Sequence, residues 1–183
     1  MPMRRVAVLG CSGSGKTTTA RAIAARLHLV HIELDALHHQ ANWEPAPLEQ
    51  FQAAIESAMD AADASHDGWT VCGGYDSKAN PIRTPSADTI VWLDLPRSTV
   101  MRQSIGRTFR RVVTREELWN GNRESFTNLY HWDPEKNVIR WAWTTYATKR
   151  QRNIDHIAAG DWDHVEVHRL RSRNEVDSFI ASL

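Results

Sequence analysis

Residues 10–17 read GCSGSGKT, the spacing G-x-x-x-x-G-K-T, and their flanks leave few folds open. Before them stands a short apolar run, Arg4 to Gly10, rich in valine and stopped by glycine, as a strand buried in a parallel sheet should be. After them TTTARAIAARL sets Ala20, Ile23, Ala24 and Leu27 at helical spacing. Strand, glycine loop and helix in that order form a phosphate cradle. Glycines let backbone N–H groups converge on anionic oxygens, and the helix start adds the positive end of its dipole. Lys16 then reaches the β and γ phosphates, and the Thr17 hydroxyl holds Mg2+. The expected contacts with a nucleoside triphosphate, ATP with Mg2+, run through Gly10, Ser12, Gly13, Ser14, Gly15, Lys16, Thr17 and Thr18. A dinucleotide-binding G-x-G-x-x-G is excluded, because a pattern begun at Gly13 needs glycine where Thr18 stands.

Four more apolar runs read as strands: His28 to Leu34, Gly68 to Gly73, Thr89 to Leu95 and His164 to Leu170. Between them lie helical patterns. One follows Pro47 with Leu48, Phe51, Ile55, Met59 and Ala62 on one face. A second is expected to be capped by Ser98, with Met101, Ile105, Phe109 and Val112 on its apolar face, and a third to cover Glu135 to Ala159. The last opens on Ser172 and Glu175 at capping-box spacing and continues with Val176, Phe179, Ile180 and Leu183. Strands alternating with helices predict an α/β fold, a parallel sheet covered on both faces. At 183 residues, 42% of them hydrophobic, the chain suits one domain with a lid and acceptor excursion around residues 102–134.

Charge narrows the function. Lys and Arg total 22, as do Asp and Glu, so no global field draws the chain to nucleic acid or anionic lipid. No apolar run suits a signal peptide or a membrane span, and the expected location is the cytoplasm. Cys11 and Cys72 are too few for a disulfide framework and read as reduced thiols.

Beyond the phosphate loop, Asp35 follows the second strand in LDALHH, beside His38, His39 and Trp43. A carboxylate there either meets Mg2+ and takes the proton of an acceptor hydroxyl, or caps a helix. Gly73, Gly74 and Tyr75 follow the third strand where many nucleotide hydrolases carry an aspartate; they read either as room for an acceptor or as a tight turn. Asp94 is the alternative strand-end carboxylate, or another helix cap. Arg97, Arg102, Arg107, Arg110, Arg111 and Arg115 give the stretch from Pro96 to Arg115 six positive charges and no acid. Such a run either closes over the transferred phosphoryl group or forms a solvated face. Trp119, Phe126, Tyr130 and Trp132 then stand among polar residues, to stack on a ring or to build a small core beneath a lid.

GCSGSGKTT, LDALHH with Trp43, WTVCGGY, DTIVWLDLPR, the arginine-rich helix and ELWNGNRESF together resemble the bacterial proteins labelled DNA topology modulation protein, which are adenylate-kinase-like P-loop proteins. More distantly the layout is similar to shikimate, gluconate and nucleoside monophosphate kinases. The resemblance implies a three-layer P-loop NTPase fold: a five-stranded parallel sheet in the order 2-3-1-4-5, flanked by helices, with a helical lid. It also implies an acceptor site at Asp35, Gly73 and Gly74, and lid arginines among Arg107, Arg110 and Arg111. The patterns by which adenylate kinases hold AMP are not evident, and no DNA-binding motif is present. The expected activity is ATP- and Mg2+-dependent phosphoryl transfer to a small molecule, nucleoside or nucleotide. The alternative is a regulatory or toxin-like protein that hydrolyses ATP slowly and acts on a macromolecule.

Overall fold

Strand β1 (Arg5–Gly10) occupies the centre of the sheet, pairing with β3 (Trp69–Cys72) on one side and β4 (Thr89–Leu93) on the other. Strand β2 (Val30–Glu33) extends the sheet beyond β3, and β5 (Glu166–Leu170) extends it beyond β4. Every pairing is parallel and the order is β2-β3-β1-β4-β5, the expected architecture. The computed structural model describes residues 3–124 and 137–183. Phe126, Tyr130 and Trp132 therefore lie outside the described residues.

Side-chain alternation along the strands sends successive residues to opposite faces and so creates two cores. Ala7, Leu9, Val71, Ile90 and Trp92 face one of them, closed by α3 (Leu48–Ser65) through Phe51, Ile55, Met59 and Ala62 and by α4 (Asp76–Ser86) through Ala79. Val6, Val8, Cys72, Val91 and Leu93 face the other, closed by α1 (Lys16–Leu27) and the final helix, α7 (Arg173–Ala181). The capping-box spacing is realised: the Ser172 side chain accepts from the Glu175 amide at 3.1 Å.

Two helical expectations change. Helix α5 (Arg97–Thr114) starts directly after Pro96, so Ser98 lies in its first turn and caps nothing. Its buried face is Val100, Ser104, Thr108 and Val112, whereas Ile105 and Phe109 stand 49% and 62% exposed. The reason is a close approach to the phosphate loop. A Cβ on Gly13 would come within 2.8 Å of the Ser104 Cβ and 2.9 Å of the Val100 carbonyl oxygen, so the loop needs small side chains beneath it, not large apolar ones. Helix α4, by contrast, is not visible in the sequence pattern, because Pro81 and Pro85 inside it read as turn residues. The long helix α6 (Val138–Ala158) packs along α5.

Candidate functional site

The phosphate loop leaves β1 at the sheet's C-terminal edge, between the outward crossovers on its two sides, where ligands of open parallel sheets bind. Gly15, at φ 93°, is the residue before α1, and no side chain caps the helix. The first-turn amides are thus left open to an anion, which supplies what a cap would. Ser12, Gly13, Gly15, Lys16, Thr17 and Thr18 line an open cleft of about 2040 Å3. Gly10 and Ser14 do not reach the cleft: a Gly10 Cβ would meet the Leu93 carbonyl oxygen at 3.0 Å, and the fully buried Ser14 donates its amide to the Cys11 carbonyl at 3.1 Å. These two residues shape the loop from behind.

Lys16 Nζ donates to the Cys11 carbonyl at 2.8 Å. Burial, reinforced by the neighbouring Lys149, lowers its pKa to about 8 against the pull of Asp35. An ammonium held this way gains from an arriving phosphate. The Thr17 hydroxyl donates to Glu33 at 2.9 Å, and the second Glu33 oxygen accepts from Arg21 at 3.0 Å. So the carboxylate that meets Thr17 is Glu33, the last residue of β2. Its signal in the sequence was its place at the strand end, two residues before the more conspicuous Asp35. Among the described residues no three His, Cys, Asp or Glu side chains converge on one point. The donor set of Thr17, Glu33 and Asp35 fits Mg2+, which takes few protein ligands and relies on phosphate oxygens and water.

Asp35 lies in the first turn of the short helix α2 (Leu34–His38), whose cap position is Glu33, so Asp35 is not itself the cap. It lines the cleft with no Lys or Arg within ion-pair distance among the described residues. Burial first, and the Asp35 charge second, push the Tyr75 phenol well above its usual pKa. Tyr75 also meets His39 Nε2 at 3.0 Å. Burial, with Lys78 adding repulsion, lowers His38 to about 4, leaving a neutral imidazole packed 4.8 Å from the Phe51 ring and 4.3 Å from that of Tyr75. Trp43 and Trp119 form a corner next to His39, their centroids 6.4 Å apart at 79°.

The glycine pair after β3 is held by cations that sequence reasoning missed. Gly73, at φ 152°, approaches so closely that a Cβ would lie 2.5 Å from Leu34 Cβ. Its carbonyl accepts from Arg83 at 2.9 Å, and Arg83, fully buried on α4, also reaches Asn80 Oδ1 at 2.9 Å and Asp76 Oδ1 at 3.2 Å. The Gly74 carbonyl accepts from Lys149 Nζ on α6 at 3.1 Å.

All three expected lid arginines line the cleft, but they are not equivalent. Arg110 is exposed and meets Glu116 at 3.3 Å, and Arg111 meets the buried Glu124 at 3.1 Å. Arg107 has no ion pair among the described residues, and burial together with Arg111 lowers its pKa. The ELWNGN segment is a clamp. Asn122 accepts from the Trp43 amide at 2.9 Å and donates to the Gln40 carbonyl at 2.8 Å, while Asn120 donates to the His39 carbonyl. Asp94 is absent from the cleft, being spent on Arg150 at 2.7 Å and Arg169 at 2.6 Å.

No family model matches the chain, and no curated protein does. A solved sugar kinase shares its fold. That crystal structure, an unliganded sugar kinase from Janibacter sp. HTCC2649, superposes with a TM-score of 0.54 at 19% identity, covering 99% of this chain and 92% of its own. The fold is therefore kinase-like, an all-parallel α/β sheet in the order 2-3-1-4-5 flanked by helices. No helix among the described residues is long and apolar enough to cross a membrane.

Proposed function

We propose that the chain is a P-loop phosphotransferase that moves the γ-phosphoryl group of ATP to a hydroxyl of a small acceptor. The observation that carries this reading is a convergence in one cleft: the uncapped start of α1 and Lys16 line it together with Asp35, free of ion pairs among the described residues, and the tethered Gly73–Gly74 turn. The loop binds the triphosphate. Asp35 orients the acceptor hydroxyl and takes its proton as the oxygen bonds to the γ-phosphorus, while the bond from phosphorus to the β-phosphate oxygen breaks and ADP leaves. Lys16 and Arg107 offset charge on the equatorial oxygens. Mg2+, held by Thr17 with Glu33 and Asp35 nearby, neutralises part of the triphosphate charge when bound. Most of the rate comes from positioning and electrostatics.

The fold neighbour's label makes sugars the first acceptors to test, followed by nucleosides, nucleotides and hydroxy acids. ADP production from Mg-ATP is measured with and without each acceptor class, with Lys16→Ala as the control. Strong stimulation by one class that disappears in Lys16→Ala supports the proposal. A slow, acceptor-independent rate across the panel overturns it in favour of a nucleotide-dependent regulatory protein.

A further inference from the structure

Helix α6 presents Thr144, Thr145, Thr148, Lys149 and Arg152 to the cleft. β1 and β3 are paired neighbours in the sheet; the glycine loop that carries Lys16 follows β1, and the Gly73–Gly74 turn follows β3. Lys16 Nζ rests on the Cys11 carbonyl at 2.8 Å, and Lys149 Nζ rests on the Gly74 carbonyl at 3.1 Å. Two ammonium groups therefore stand on neighbouring strand ends at the mouth of one cleft. Neither has a carboxylate within 4.0 Å among the described residues. Each ammonium carries three donors, and among the described residues each makes one hydrogen bond to a backbone carbonyl, with the Trp141 ring centroid 5.9 Å from Lys149 Nζ.

We propose that Lys149 is a second phosphate-binding residue of the transfer site, gripping the γ-phosphoryl group opposite Lys16 and so distinguishing ATP from ADP. The inference rests on the phosphotransferase reading, since it takes ATP as the ligand of the loop. In ADP the terminal phosphate stays within the loop and reach of Lys16. Only the γ-phosphoryl group extends toward the Gly74 turn, where Lys149 waits.

Three features favour an anion at that point. Like charges facing across a cleft repel unless a counter-charge enters, and Lys149 is the neighbour that most disfavours the charge on Lys16. The other groups acting on Lys16 are Asp35 on α2, Cys72 on β3 and Cys11 in the loop, and Asp35 is the only carboxylate among them. Arg152, one turn along α6, already has Asp76 at 3.7 Å, whereas Lys149 has no ion pair among the described residues. Its Gly74 bond also places the same ammonium against the acceptor wall, so that it spans the donor and acceptor halves of the transfer site.

The test is calorimetric titration of Mg-ATP and Mg-ADP into the wild type, Lys149→Met, Lys149→Arg and Lys16→Met, with unfolding curves to verify that each variant is folded. Lys149→Met is expected to weaken ATP binding about tenfold while leaving ADP binding within about twofold, and Lys149→Arg to keep most of the ATP preference. If Lys149 is only a strut for the glycine turn, ATP and ADP affinities fall together or not at all, and either result overturns the proposal. Wild-type protein that binds neither nucleotide, indistinguishable from Lys16→Met, overturns the phosphotransferase reading itself.

Discussion

The Thr17 hydroxyl donates to Glu33 Oε1 at 2.9 Å, which joins the start of α1 to the end of β2 across the floor of the cleft. The bond fixes the hydroxyl hydrogen on the carboxylate and leaves the oxygen to act as an acceptor. With Mg2+ bound at Thr17, Glu33 would act on the metal through that hydroxyl, as an outer carboxylate orients an inner ligand. Glu33→Gln is expected to raise the Mg2+ concentration for half-maximal activity about tenfold. Nucleotide binding without added divalent cation should change by less than about twofold. A Mg2+ titration of both proteins checks it, and coincident curves would leave Glu33 as a partner of Arg21 alone.

Nucleotide affinity should also report on Lys16. In the free protein its pKa is lowered to about 8 by burial and by Lys149, and a bound phosphate favours the charged form. Binding above pH 8 must therefore draw a proton from solution, and affinity should fall by up to about tenfold per pH unit there. Calorimetry near pH 8.5 in buffers of different ionisation enthalpy measures the uptake. An absence of uptake would mean that Lys16 stays charged in the free protein.

Acid should destabilise the fold through the histidines of the acceptor wall. His38 has its pKa lowered by burial to about 4 from the usual 6.5, and His39 and His31 are shifted in the same direction by the same cause. Between pH 6.5 and 4 the unfolded chain binds a proton that the folded chain refuses, so the stability present above pH 6.5 is lost as pH falls through that window. His38→Gln should flatten this slope by about one proton. Urea unfolding midpoints at several pH values from 7 to 4 check the sign, and a slope unchanged by the substitution would exonerate His38.

Two glycines with opposite surroundings give a paired stability prediction. Alanine at Gly73 places a Cβ 2.5 Å from Leu34 Cβ at φ 152° and is expected to cost about 1–3 kcal/mol. Alanine at Gly106, inside α5 with nothing within 4 Å of its Cβ, is expected to stabilise by about 0.5–1 kcal/mol. Equal and small effects at both positions would show that the Gly73 turn yields to a side chain.

The parts of this molecule that sequence made legible are those whose cause is local. Apolar runs, three of them stopped by glycine or proline, marked all five strands, and the loop motif with its flanks marked Gly13, Gly15, Lys16 and Thr17 as cleft residues. Asp35 was legible because it follows a strand end directly. What escaped depends on partners distant in sequence. Lys149 meets the Gly74 carbonyl 75 positions away, and Arg83 curls back from a proline-bearing helix onto Gly73. Helix α5 was misoriented for the same reason. Its apolar periodicity favours the Ile105 and Phe109 face, but the close approach of Gly13 requires the small residues Ser104 and Thr108 inside.

The two arginines on Asp94 also impose a timetable on the ribosome. The carboxylate is made with the end of β4, but its partners Arg150 and Arg169 emerge 56 and 75 residues later. Until β5 is synthesised, β4 remains an open sheet edge and Asp94 lacks the counter-charges that make its burial tolerable. A nascent chain stalled before Leu170 thus keeps that edge unpaired, and the sheet can close only once β5 has been made.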